Sequence, residues 1–277
     1  MSVLHAIILG IVQGLSEFLP ISSSGHLILV PELFDWTELT SNPHLNKTFD
    51  VALHLGTLVA ALWYFRRDVW RYLVAALHTM RVRRVQTTDE RMAWLLLLSA
   101  VPGAIAGALF GSTIEEHLGD PILIGVMLIL FGVVLLLVDR LGGERPSDDF
   151  RRRDAVIMGL AQAVALQPGV SRAGVTMTAG RWLKFDRAGA ARLSFLMSIP
   201  IIAGAGLYKG AEVIGGRGIP SDFVAPFIWG TIAAAVSGFL AIAWLLRYLQ
   251  TNSFMPFVIY RFVVGGAVIL IFATGLR

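Results

Sequence analysis

The chain has 277 residues, 56% of them hydrophobic and 15% charged; soluble domains carry about 25% charged residues, and the mean hydropathy of +0.70 indicates an integral membrane protein and excludes a soluble enzyme or a disordered chain. The formal net charge of +4 does not point to nucleic acid, because the basic residues fall in loops between apolar runs, and the lack of cysteine excludes disulfides, iron–sulfur clusters and thiolate zinc sites. A spanning helix needs about 20 apolar residues, so this length allows roughly six to eight spans and little room for an aqueous domain.

The first 15 residues are apolar but lack a basic leader or a small-residue cleavage pattern, so they read as part of the mature protein. The stretch Ser2–Pro31 does not fit a simple span. It contains Glu17, two prolines and Ser22-Ser23-Ser24-Gly25, so a short apolar helix, a break and a second short helix are predicted over 2–34. Three uncharged or nearly uncharged runs follow and predict spans near 49–66, 91–111 and 121–139. The next stretch, 154–182, repeats the broken pattern, with Pro168-Gly169 and then Arg172 at its centre. Three more spans are predicted near 188–209, 223–247 and 254–276. Every span is read as helix, since lipid offers no water to unpaired backbone groups. Broken helices at membrane depth are tolerated only where protein or a water-filled cavity surrounds them, so both odd stretches are read as re-entrant helical hairpins.

Loop charges set the sides. Arg66–Arg91 holds seven arginines against three acids, Arg140–Asp154 holds five arginines, and Arg181–Arg192 holds four basic residues against Asp186. These three are expected to be cytoplasmic. Glu32–Asp50, with Lys47 as its one base, and Ser112–Asp120 are expected outside, as are both termini. The two hairpins then enter from opposite faces. Each precedes three spans, Gly10-x-x-Gln13 recurs as Gly159-x-x-Gln162, and Pro20-x-x-Ser23 recurs as Pro168-x-x-Ser171. The expected fold is a single all-α membrane domain, six transmembrane helices plus two re-entrant hairpins, in an inverted-topology repeat of 1–140 and 150–277. Such repeats place their site between broken helices.

A charge at membrane depth costs about 2.5–3.5 kcal/mol on insertion scales and so marks function by default. Gln13 and Glu17, four residues apart, share a helix face. A helix restarting after Pro20 would offer free N–H groups and the hydroxyls of Ser22, Ser23 and Ser24 to an anion, beside Gly25 and His26. The second break offers Ser171 and Thr176, with Arg172 as a forked donor suited to phosphate. The carboxylate of Glu17 suggests a metal, since Mg²⁺ uses one or two carboxylates plus substrate phosphate oxygens. Plainer readings apply elsewhere: His54 and His5 as satisfied helix residues, Asp50 as a cap, Arg261 as a residue snorkelling from the last span. A structural Glu17–Arg172 bridge would account for both charges without catalysis.

These residues resemble one family. Gln13-Gly14-Leu15-Ser16-Glu17 is similar to the (Glu/Gln)-x-x-x-Glu motif of the undecaprenyl-diphosphate phosphatase, or bacitracin-resistance, family, and it leads into Phe18-Leu19-Pro20-Ile21-Ser22-Ser23-Ser24-Gly25-His26-Leu27. Pro168-Gly169-Val170-Ser171-Arg172-Ala173-Gly174-Val175-Thr176 resembles its Pro-Gly-x-Ser-Arg-Ser-x-x-Thr motif, with Ala173 in place of the usual Ser. The resemblance covers nearly the whole chain. It implies a bacterial inner-membrane hydrolase that converts undecaprenyl diphosphate to the monophosphate and inorganic phosphate, recycling the carrier for peptidoglycan synthesis and conferring bacitracin resistance. It further implies Mg²⁺ or Ca²⁺ dependence and a site facing the periplasm. On this reading Glu17 holds the metal, and Glu17, Ser23, His26 and Arg172 are catalytic. Gln13, Ser22, Ser24, Gly25, Ser171 and Thr176 bind the diphosphate. The attacking group is left open among Ser23 activated by His26, His26 itself, and water. The partners are the polyprenyl diphosphate and membrane lipid; oligomeric state is open, with a homodimer as the candidate. The alternative is a polyprenyl-phosphate flippase or secondary transporter built on the same repeat.

Overall fold

The computed structural model describes residues 1–36, 43–215 and 220–275, so the end of the expected last span, at 276, lies outside the described residues. Eleven α-helices are present among them, with one 3₁₀ turn and no strand: α1 Val3–Phe18, α2 Ser23–Leu33, α3 Pro43–Tyr64, α4 Arg66–Val82, α5 Thr88–His117, α6 Pro121–Asp139, α7 Arg152–Val164, α8 Arg172–Trp182, α9 Arg187–Gly215, α10 Ser221–Tyr248 and α11 Met255–Ala273. Side chains that accept the first free amides start several of them. Ser2 caps α1 through the His5 N–H, Asp120 caps α6 ahead of Pro121, and Thr87 and Glu90 form a reciprocal capping box at α5.

Five helices (α5, α6, α9, α10 and α11) are long and apolar enough to cross a bilayer, and six candidates result if α3 and α4 count as one bent pair. That pair departs from expectation. The arginine-rich segment read as a cytoplasmic loop is largely the 17-residue helix α4, bent by 85° from α3. Its Trp70, Leu73, Val74, Leu77 and Met80 are exposed, and their 3–4-residue spacing makes one apolar stripe, the form of a helix lying in the membrane interface. The helix α3 also begins at Pro43, earlier than the expected span, so Asp50 lies inside it and is not a cap.

Both odd stretches are broken helix pairs, α1–α2 and α7–α8. Partners are exchanged between the halves: α1 packs on α10, α7 packs on α5, while α3 meets α9 and α6 meets α11. The α1–α10 crossing is close because Gly10 has no Cβ; one placed there would stand 2.3 Å from the Gly230 carbonyl oxygen. The main core lies between the pairs, with Phe18, Phe65, Phe150, Phe185 and Phe195 fully or almost fully buried. On the arginine-rich side, Asp139 binds both Arg181 (3.0 Å) and Arg187 (2.8 Å), Asp154 accepts from Arg145 (2.8 Å), and Asp68 accepts from Arg192 (2.8 Å). Much of the charge counted in those segments therefore joins helices to one another.

Candidate active site

The two breaks have the same local construction. Leu19 ends α1 in an extended conformation, and Ser22, at φ +78°, starts α2 with its hydroxyl accepting from the Gly25 N–H. In the second pair Ser171, at φ +73°, starts α8 and accepts from the Gly174 N–H at 3.0 Å. A positive φ is costly for a residue with a Cβ, and each serine offsets that cost by satisfying an amide that a new helix would otherwise leave free. Gly10, Gln13, Ser22 and Gly25 thus match Gly159, Gln162, Ser171 and Gly174 at one constant offset. This corrects the expected Pro20–Pro168 alignment by one residue: Ser22, and not Ser23, is the counterpart of Ser171, and Ser23 faces Arg172 in the comparison.

The breaks also touch. The Gly169 N–H donates to Ser22 Oγ at 3.1 Å, which requires close approach. Gly169 has φ +91°, and a Cβ there would lie 2.7 Å from the Ile124 carbonyl oxygen. Arg261 fastens them. Its guanidinium donates to the carbonyls of Pro20 (3.1 Å), Gly169 (3.0 Å), Val170 (3.0 Å) and Leu128 (2.9 Å). Arg261 is 0% exposed. The snorkelling role expected for it is therefore incorrect: the break carbonyls lack helical partners and draw the side chain inward.

Glu17 lies in the last turn of α1 and is 4% exposed. Its Oε1 accepts from Arg172 Nη2 at 2.8 Å and Nε at 3.2 Å. Its Oε2 accepts from Ser23 Oγ at 2.7 Å and from Gln13 Nε2 at 3.1 Å. Carboxylate, hydroxyl, carboxamide and guanidinium thus meet, with Arg172 coming from the opposite half of the chain. The Ser194 carbonyl steadies Arg172 through Nη1 (3.1 Å), and Ser194 Oγ is 2.7 Å from Thr176 Oγ1. Thr176 Oγ1 also donates to the Arg172 carbonyl at 2.7 Å, so Thr176 joins the cluster through the Arg172 backbone and Ser194 and has no hydrogen bond to Glu17 among the described residues.

Other expected members stand apart. His26 does not meet Ser23. Its Nδ1 donates to the Ser22 carbonyl at 2.6 Å, and its Nε2 is 2.7 Å from the Tyr260 hydroxyl. With both nitrogens engaged, the Ser23–His26 pairing suggested by their spacing is not formed, and Ser23 is bonded to Glu17 instead. The Ser24 hydroxyl has no hydrogen bond among the described residues, and Gly25 contributes its amide to Ser22 Oγ. The imidazole beside the carboxylate is His54, whose Nε2 lies 3.5 Å from Glu17 Oε2. Reading it as an ordinary helix residue missed this, and the signal available was a histidine inside an uncharged run. Tyr260 was missed too; it directly precedes Arg261.

Two buried side-chain atoms lack hydrogen-bond partners among the described residues, Gln13 Oε1 and Gln162 Oε1. No group of three His, Cys, Asp or Glu residues suited to a metal occurs among them. Of these residues, the Glu17 carboxylate and the unpartnered Gln13 Oε1 are the oxygens that could contribute to a hard cation whose remaining positions were filled by phosphate oxygens.

Residues 6–267 match the family described as bacitracin resistance protein BacA. Proteins called undecaprenyl-diphosphatase are similar along the whole chain. That of Pelobacter propionicus is 48% identical, covering 100% of this chain and 99% of its own length. That of Geobacter sulfurreducens is 47% identical over 97% of this chain and 98% of its own. A Nocardioides relative is 43% identical over 98% of this chain and 97% of its own.

Proposed function

Because the chain belongs to the bacitracin resistance protein BacA family, we infer that it is a multi-pass membrane hydrolase of undecaprenyl diphosphate, releasing undecaprenyl phosphate and inorganic phosphate. It thereby returns the lipid carrier to peptidoglycan synthesis and confers resistance to bacitracin. The observation that carries this reading is the buried Glu17–Arg172 contact at 2.8 Å, with the Ser23 hydroxyl 2.7 Å from the same carboxylate.

In the mechanism we favour, the terminal phosphate displaces Arg172 from Glu17 and takes its forked donors. The Ser23 hydroxyl passes its proton to Glu17 Oε2 and its oxygen attacks the terminal phosphorus. The bond to the bridging oxygen breaks, and undecaprenyl phosphate leaves with that oxygen. Water then attacks the phosphoserine phosphorus; as the bond from phosphorus to Ser23 Oγ breaks, Glu17 Oε2 returns its proton to that oxygen, and inorganic phosphate leaves with the water oxygen and the water's protons, one of them passing on to solvent. The first-turn amides of α2 and α8 and the fixed guanidinium suit a transition state whose charge sits on phosphate oxygens. Glu17 and Gln13 Oε1 would hold the divalent cation, Mg²⁺ or Ca²⁺, which supplies neutralisation of the diphosphate charge. His26 orients the α2 turn through Ser22 and is read as a supporting residue.

We also read α1–α2 and α7–α8 as re-entrant hairpins entering from opposite leaflets of the bacterial inner membrane, within two inverted halves. The exchanged packing of α1 with α10 and α7 with α5, and the constant-offset match of the breaks, support this. The arginine distribution favours a periplasmic site and periplasmic termini. The same repeat favours transport as a second reading. The test is phosphate release from undecaprenyl diphosphate in detergent, with and without chelator, beside Glu17→Ala. Chelator-sensitive release that Glu17→Ala abolishes is expected; no release in detergent, where no second compartment exists, would favour a transporter.

A further inference from the structure

We propose that a cleft at the arginine-rich end of the α7–α8 pair binds the phosphate headgroup of an anionic glycerophospholipid, with an acyl chain lying along α7.

The cleft holds about 260 Å³, and Arg145, Arg151, Arg153, Asp154, Trp182 and Lys184 are among the residues that line it. Sites that enclose drug-sized ligands run to about 300–1,000 Å³, so this one suits a headgroup and not a whole lipid. Backbone pairing holds its two sides together. The Arg145 N–H donates to the Lys184 carbonyl and the Asp186 N–H to the Arg145 carbonyl, both at 2.9 Å.

The charges in the cleft do not cancel. Arg145 is spent within the protein: Asp149 Oδ2 (3.0 Å), Asp154 Oδ2 (2.8 Å) and the Leu183 carbonyl (2.8 Å) accept from it, and its guanidinium lies 4.3 Å from the centre of the Phe185 ring. Arg151 is paired with Asp149 at 2.9 Å. Two arginines thus balance the two acids. Arg153 and Lys184 are left over, and both are exposed. Lys184 Nζ donates to the Leu141 carbonyl at 2.9 Å, and neither side chain has an acidic partner among the described residues. Two such cations at the mouth of one cleft are suited to phosphate oxygens.

A second, independent observation attaches that phosphate to a lipid. Arg153, Val156, Leu160 and Val164 recur at three- and four-residue intervals and so share one face of α7, and all four are exposed. The basic cleft therefore opens at the head of an apolar strip. Trp182, exposed in the same cleft, is the residue type that sits at headgroup level in membranes. Free phosphate would engage the cations and leave the strip and the indole without a role, whereas a phospholipid engages all three. Basic residues that only fix the side of a loop need no such arrangement.

The test titrates the full-length protein in detergent with dioleoyl phosphatidylglycerol, or with the phosphatidylcholine of the same chains, and reads bound lipid by native mass spectrometry. Wild type should bind phosphatidylglycerol about tenfold or more tighter, as two basic side chains facing an acidic lipid would give. Arg153→Gln with Lys184→Gln should remove that preference while melting temperature and phosphate release stay unchanged, and each single variant should remove part of it, which a collapse of the fold would not do. Arg83→Gln with Arg84→Gln, an equal loss of exposed charge elsewhere, should keep it. Equal binding of the two lipids, a preference that survives the first pair, or one lost equally in the second pair overturns the site. Displacement of phosphatidylglycerol by an equimolar amount of glycerol 3-phosphate overturns the lipid as its ligand.

Discussion

Arg261→Gln tests the claim that one guanidinium holds both breaks. The wild-type side chain donates to Pro20, Gly169, Val170 and Leu128 at 2.9–3.1 Å. Leu128 lies within α6, so its carbonyl keeps a helical partner; the other three belong to the breaks. A hydrogen bond from a charged donor contributes about 1.5–3 kcal/mol net. Losing three would cost about 4.5–9 kcal/mol. Glutamine can restore one or two, and removing a buried charge relieves desolvation. A net loss of about 3–5 kcal/mol is expected, the range seen when a buried charged group is separated from its partners. The assay is equilibrium unfolding in mixed micelles, with turnover measured under conditions where the variant stays folded. Both should fall, because the Ser22–Gly169 contact loosens with the breaks. A destabilisation under about 1 kcal/mol with normal turnover would refute the reasoning.

Arg172→Lys replaces a fork by a point charge and should lower kcat by about 10²-fold or more without altering the fold; near-normal turnover would remove Arg172 from the phosphate site. Ser23→Ala should lower turnover at least ~10³-fold, and His26→Ala should be milder because His26 bonds to Ser22 and Tyr260; a dead His26→Ala beside an active Ser23→Ala would transfer the attack to histidine or water. Outside the membrane, the Arg151 guanidinium, and then Arg145, hold the Asp149 carboxyl below its usual range. Its contribution is present above the pKa of an unfolded aspartate, about 3.9, and lost as pH falls through the lower folded value. Asp149→Asn should therefore differ from wild type in melting temperature near neutrality and converge with it in acid; a gap that widens in acid would reverse the sign.

The two breaks were legible because proline, glycine and adjacent serines interrupt apolar runs at both places. The Glu17–Arg172 meeting was legible because each is a rare charge inside such a run. Arg261 had the same rarity, but position near a span end suggested an outward side chain, and only the three-dimensional location of unpaired break carbonyls turns it inward. His54 was obscured because its partner Glu17 lies 37 residues earlier in the chain, and no local spacing rule brings the two together. The helix α4 could have been found from its apolar stripe, which the count of arginines concealed. Ser24 shows the converse limit: composition put three hydroxyls together, and backbone geometry uses two of them.

The contact between Glu17 and Arg172 joins groups from the first and second halves of the translated chain, and it has a consequence for biosynthesis. A molecule whose later portion is threaded through the bilayer the wrong way round would keep every residue yet bring no guanidinium to the carboxylate. Mistakes of insertion should thus give inert protein instead of sluggish protein, and the specific activity of a preparation would count its correctly threaded copies.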